Sequence, residues 1–135
     1  MTSLKIKIPV SIGELTDKIT ILEIKSKKIM DPVRLNAVTK ELNQLNNILK
    51  KVLTVKYSFK NKFNKLRTAL LKVNNNLWNI ENNIRSHEAG KKFDSEFIEL
   101  ARSVYVQNDR RSAVKNEINK LMGSSFSEVK EYSKY

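Results

Sequence analysis

Residues Phe93 to Gly123, FDSEFIELARSVYVQNDRRSAVKNEINKLMG, decide the fold. The stretch carries its own start and stop for one long helix. Asp94 suits the N-cap, Glu96 and Glu99 suit the positive end of the helix dipole, and Gly123 supplies a left-handed stop. A line at steps of three and four passes through Phe97, Ala101, Val104, Asn108, Arg111, Lys115, Ile118 and Met122. Both ends of that line are apolar, and its middle is an amide, a guanidinium and an ammonium. A helix that buries this face, or rings a cavity with it, desolvates groups that are costly to leave without partners. Arg102, Tyr105 and Asp109 occupy the adjacent face, flanked by Arg110. The island points to a site for an anion.

Immediately before this helix lies the cleanest heptad of the chain: Phe59, Phe63, Leu66, Leu70, Val73, Leu77, Ile80 and Ile84. Such spacing predicts a long helix packed along a neighbour. Trp78, Glu81 and Arg85 share a second face near its end, and His87 and Gly90 close it. Only a short loop follows, so the two helices are expected to form an antiparallel hairpin that brings Trp78, Glu81 and Arg85 toward the polar island. An aromatic platform beside several Arg and Lys suits a phosphorylated or carboxylated ring compound. An internal salt-bridge network, with Glu81 and Asp109 neutralising Arg85, Arg102 and Arg111, stands as the alternative.

The first half of the chain reads as a second hairpin. Leu4, Ile6, Ile8 and Val10 alternate with Lys5, Lys7 and Pro9, a short strand signal that Pro9 confines to an edge or end. Ser11 and Glu14 have capping-box spacing and open a helix whose stripe is Ile12, Leu15, Ile19, Leu22 and Ile29, widened by Ile21 and Ile24. That breadth predicts a helix contacted on more than one side. Lys18 and Lys25 lie two turns apart on one face with Glu14 and join the candidate site. Asp31-Pro32 starts the next helix, with Leu35, Val38, Leu42, Leu45, Leu49 and Val52 as its stripe. The expected fold is a single domain, 1–135, and all-α. It is a four-helix bundle-like arrangement of two antiparallel hairpins with a short N-terminal extended segment. The helices are expected at roughly 12–30, 32–53, 59–88 and 95–122. The tail 124–135 either packs over the bundle end or pairs with the N-terminal strand.

Composition agrees with this. Three Gly and two Pro in 135 residues leave little room for the turns of an all-β fold. There is no Cys, which excludes disulfides and thiolate metal sites. No apolar run approaches membrane-spanning length, so the expectation is a cytoplasmic protein with no membrane partner. The net charge of +12 is concentrated: no acid occurs between Glu41 and Glu81, while Lys50, Lys51, Lys56, Lys60, Lys62, Lys65, Arg67 and Lys72 fall in that gap. Such a stretch is either a solvated basic face or a nucleic-acid surface.

Catalytic templates mostly fail. His87 is the only histidine and sits at a helix end, where it reads as a C-terminal cap. A di-iron bundle needs Glu-x-x-His, and the residue three before His87 is Ile84. There is no Gly-rich phosphate loop. Glu14-x-x-Asp17 and Glu96-x-x-Glu99 have the spacing of the paired acids of helical nucleotide pyrophosphatases, but the Lys-rich surroundings make a poor metal box. No cofactor and no metal are expected.

Three blocks, IPVSIGELTDKITILEIKSKKI (Ile8–Ile29), LWNIENNIR (Leu77–Arg85) and FIELARSVYVQNDRRSAVKNEIN (Phe97–Asn119), resemble the signature blocks of a small family of bacterial and phage proteins. That family is a domain of unknown function. Its members tend to read LWxIEDxIR where this chain has Asn82 and Asn83, and they are less basic. The resemblance implies that the polar residues of the first, third and fourth helices form the site, and it implies no activity.

The expected function is binding, or sequestration, of a small anion such as a nucleotide or sugar phosphate. The ligand set is Lys18, Lys25, Trp78, Glu81, Arg85, Arg102, Tyr105, Asn108, Asp109, Arg111 and Lys115. One alternative is a metal-independent enzyme of chorismate-mutase-like architecture, by analogy of fold only. The other is nucleic-acid binding through the Lys50–Lys72 face. The long heptad further predicts a homodimer through the third or fourth helix.

Overall fold

The computed structural model describes residues 3–135. Four helices form: α1 (Ile12–Lys28), α2 (Pro32–Val55), α3 (Lys60–Ala89) and α4 (Ser95–Met122), with one 3-10 turn at Tyr57–Phe59. The described residues contain no strand. Short connections make α1–α2 and α3–α4 antiparallel hairpins.

The helix ends follow the capping chemistry of the sequence. Ser11 Oγ accepts from Glu14 N at 3.0 Å, the Asp31 carboxylate from Arg34 N at 2.9 Å, and Asp94 from Phe97 N at 3.0 Å. Gly123, at φ +70°, ends α4 in the left-handed conformation that glycine adopts without steric penalty.

Helix α1 touches all three others, which accounts for its unusually broad apolar stripe. Leu15 and Ile19 from α1, Leu49 from α2, Phe63 and Leu70 from α3, and Ile118 and Met122 from α4 make the core. The core therefore sits at the end of the bundle where α3 begins and α4 finishes. Toward the other end the α3–α4 seam opens: Leu77, Ile80, Ile84, Leu100 and Val104 are half-buried and Ala101 is exposed. No described helix is long and apolar enough to cross a membrane.

Two expectations for the chain ends are corrected or decided. Leu4 to Val10 makes no ladder, and its alternate residues Leu4, Ile6, Ile8 and Val10 are exposed. Alternation specifies a strand only where an edge is offered, and among the described residues none is. The tail does not pair with this segment; it runs back along α4. Asn116 clasps the Glu128 backbone from both sides, its Nδ2 donating to Glu128 O at 3.0 Å and its Oδ1 accepting from Glu128 N at 2.7 Å. Tyr135 donates its hydroxyl to Asp109 at 2.5 Å.

The first turn of α1 lies against the α4 backbone, and one glycine permits it. Gly13 N donates to Asn119 Oδ1 at 2.6 Å, and a Cβ at Gly13 would stand 2.5 Å from Lys115 O. A mid-helix carbonyl cannot yield without breaking its own helix, so the helices would have to separate. Gly13→Ala is therefore expected to destabilise by about 1–3 kcal/mol, despite alanine's better helix propensity. Thermal melting checks this: a mutant at least as stable as the wild type would show that the approach is not tight.

Candidate functional site

Beneath the polar island of α4 lies a carboxylate of α1. Asp17 is 1% exposed and accepts from Arg111 Nε at 2.8 Å. A second bond joins Arg111 Nη2 to its other oxygen, so the guanidinium grips it in bidentate fashion. Asn74 Nδ2, from α3, donates to Asp17 Oδ1 at 2.9 Å and to Thr20 Oγ1 at 2.8 Å. Lys115 Nζ stands 3.8 Å from Asp17 and is held at 2.7 Å by both Glu14 and Glu128. Glu14 thus serves Lys115 on α4, leaving Ser11 as the working half of the capping box. Three carboxylates meet two cations, so the cluster holds no surplus positive charge for a ligand.

The electrostatics follow. Burial pushes the Asp17 carboxyl up, but the Arg111 and Asn74 hydrogen bonds and the Arg111 and Lys115 charges together hold it below the usual carboxylate range. Burial pulls the Lys115 ammonium down, and its bonds to Glu128 and Glu14 more than offset that, leaving it raised. For Arg111 the bonds to Asp17 outweigh the cost of burial.

Two grooves flank this cluster, and Arg111 lines both. The larger, about 780 Å³, lies between α4 and the tail and takes in Tyr105, Asn108, Asp109, Arg111 and Lys115. Most of its cations are committed: Arg111 and Lys115 as above, and Lys130 to Asp109 at 3.4 Å and to Asn108 O at 3.2 Å, while Lys134 of the tail has no ion pair among the described residues. Tyr105 meets Tyr135 edge to face, with ring centroids 4.8 Å apart. The smaller groove, about 370 Å³, runs between α1, α3 and α4. Ile21, Ile24 and Leu77 supply apolar wall, Trp78 an aromatic one, and Lys25, Glu81, Arg85 and Arg111 the charges, with the amides of Asn74 and Asn82. Lys25 has no ion pair among the described residues, and Arg85 makes only a 3.4 Å contact to Glu81 on an exposed surface.

The expected site therefore divides. Lys25, Trp78, Glu81, Arg85 and Arg111 come together in the smaller groove, and Tyr105, Asn108, Asp109, Arg111 and Lys115 in the larger. Lys18 and Arg102 line neither. Lys18 points to α2 and pairs with Glu41 at 3.1 Å, and Arg102 pairs with Glu99 one turn away at 2.8 Å. The partner of Arg111 is Asp17, in place of the expected Asp109 or Glu81. Asp109 faces the tail, and Glu81 stays on its own helix beside Arg85.

Asn74 and Glu128 were not among the expected residues. Asn74 carried a signal, for it lies four residues after Leu70 and three before Leu77, on the buried edge of the α3 stripe. Glu128 carried none, because nothing local fixes where the tail lies. Comparison of the chain with protein families, with curated proteins and with solved structures finds no match in any of the three.

Arg111→Ala would leave Asp17 buried with only an amide and a more distant ammonium. The expected cost is about 3–5 kcal/mol, a fall in Tm on the order of 10 °C or more. An unchanged Tm would mean that Asp17 does not depend on Arg111. The pH dependence has two limits. The folded Asp17 value lies below the unfolded one near ~4, so its stabilisation is complete above that value and is lost as pH falls through the folded value. The folded Lys115 value lies above the unfolded one near ~10, so its contribution is complete below that value and is lost as pH rises through the folded value. Stability is expected to be flat between about pH 5 and 9, and Asp17→Asn should flatten the acid limb selectively.

Proposed function

We propose that the protein binds a small anion carrying a ring, of the nucleotide or sugar-phosphate class, in the smaller groove between α1, α3 and α4. The observation that carries this reading is the conjunction of Trp78 with Lys25, a cation with no carboxylate partner among the described residues, in one groove. Arg85 adds a planar donor pair on the same wall. A volume of about 370 Å³ lies within the range of small-molecule sites. The aromatic face would take the ring, and Lys25 and Arg85 the phosphate or carboxylate. The larger groove is the weaker candidate because three of its four cations, Arg111, Lys115 and Lys130, already hold carboxylates of this chain.

Trp78 is the only tryptophan, so its fluorescence reports on this groove directly. A panel of nucleotides and sugar phosphates should contain a compound that changes Trp78 emission and saturates. Lys25→Ala and Arg85→Ala should each weaken that binding roughly tenfold or more, as loss of a charge-assisted hydrogen bond does. Both side chains lie outside the buried network, so Tm should hold. Saturable binding that persists in both variants would place the ligand elsewhere. No fluorescence response to any member of the panel would count against the reading itself.

Nucleic-acid binding is a second reading, supported by a specific observation. Lys50, Lys51, Lys60, Lys62 and Lys65 are exposed and have no ion pair among the described residues, where α2 runs into α3. Duplex binding whose affinity falls steeply with salt would favour it. A homodimer would cover the half-buried Leu77, Ile80 and Ile84 of α3 and the exposed Ile98 of α4. Light scattering should then give twice the chain mass, reverting to a single chain in Ile98→Arg.

A further inference from the structure

The loop that joins α3 to α4 brings together the only histidine and two carboxylates at the opposite end of the bundle from the core. His87, on the last turn of α3, has its side chain 14% exposed and packs against Phe97, ring centroids 6.2 Å apart. Its Nε2 lies 3.7 Å from Asp94 Oδ1 and 3.7 Å from Glu96 Oε2, both from the start of α4. The three donor atoms all fall within 4.8 Å of one another.

The orientation of the ring gives the cluster its chemistry. His87 Nδ1 lies 2.9 Å from the carbonyl oxygen of Asn83. A carbonyl only accepts, so Nδ1 carries the hydrogen, and in the neutral imidazole the lone pair is on Nε2. That lone pair then faces two carboxylate oxygens. In that neutral form three electron-rich atoms face one another, and a cation among them removes the repulsion. A backbone carbonyl that fixes the far nitrogen is also the usual arrangement behind a metal-bound histidine.

We propose that His87, Asp94 and Glu96 form a binding site for a first-row divalent transition metal of the zinc class. One imidazole and two carboxylates are the donors such ions take, at about 2.0–2.2 Å from each donor atom. Those bond lengths call for donor atoms somewhat closer than they stand here; the exposed Glu96 side chain is free to close in, while Asp94, whose Oδ1 caps α4 by accepting from Phe97 N, has its second oxygen to offer. Magnesium and calcium prefer all-oxygen shells and are disfavoured by the imidazole. With three protein donors, a solvent-facing coordination position stays open. The ion would tie the last turn of α3 to the first turn of α4, where the apolar seam is least buried. It is separate from the groove around Trp78 and does not depend on that reading.

The test uses the full chain without a histidine tag, at pH 7.5, with zinc, cobalt(II) and magnesium as separate probes. Zinc, measured by competition with a chromophoric chelator, should bind one ion per chain and raise Tm, and cobalt(II) should give a visible ligand-field spectrum. Magnesium at the same concentration should do neither. His87→Ala should weaken zinc at least tenfold, and Glu96→Gln likewise. Asp94→Asn should also weaken zinc, yet keep the α4 cap because an asparagine side chain accepts the same hydrogen bond. That variant separates loss of metal from loss of fold. Absence of zinc binding, an equal response to magnesium, or zinc binding unchanged in His87→Ala would each overturn the proposal. A Tm that rises only with falling pH, lost in His87→Ala and indifferent to zinc, would identify the cluster as an imidazolium ion pair and equally overturn it.

Discussion

A single carboxylate, that of Asp17, sets the terms for how the helices meet. It lies on the helix that touches all the others and has almost no contact with solvent. An isolated charge in that position would be prohibitive, so α3 must bring Asn74 and α4 must bring Arg111 to it. The bidentate grip of Arg111 fixes distance and direction, which apolar contacts alone do not. A small rotation or slide of α4 would weaken its apolar contacts gradually but would strand Asp17 at once. The ion cluster therefore acts on register, while the Leu, Ile and Phe core below it supplies most of the driving force.

Close approach reinforces the same geometry. Gly13 lets the start of α1 rest on the α4 backbone, and from there Glu14 reaches Lys115. Glu128 closes the cluster from the tail, so the last segment of chain is held by the same ammonium that α1 holds. The groove around Trp78 lies on the other side of Arg111 and Asn74. Two of its lining residues are thus immobilised by the buried network. Lys25 and Arg85 stand at its edge, outside that network.

Much of the fold was legible because its signals are local. Ser11, Asp31, Asp94 and Gly123 mark helix ends through hydrogen bonds within one turn, and the α3 heptad states its own period. The polar island on α4 was equally visible, since Asn108, Arg111 and Lys115 interrupt an apolar line. What answered it was not. Asp109, two residues away, and Glu81, across the α3–α4 hairpin, were the expected acids, but Arg111 and Asp17 are 94 residues apart and meet only through the packing of α1 on α4. Alternation misled at Leu4 to Val10, because a strand depends on a partner that its own sequence does not specify. The tail was undecided for the same reason: its bonds to Asn116, Lys115 and Asp109 are all made with a helix already folded.

The most direct test of this account is a double-mutant cycle on stability, with Asp17→Ala, Arg111→Met and the pair together. If each side chain is buried chiefly to satisfy the other, the double mutant should be less destabilised than the sum of the single mutants. The difference should be about 2–3 kcal/mol, at the upper end of measured coupling energies. Additive losses, within about 0.5 kcal/mol, would contradict the claim that the Asp17–Arg111 pair sets how α1 and α4 meet.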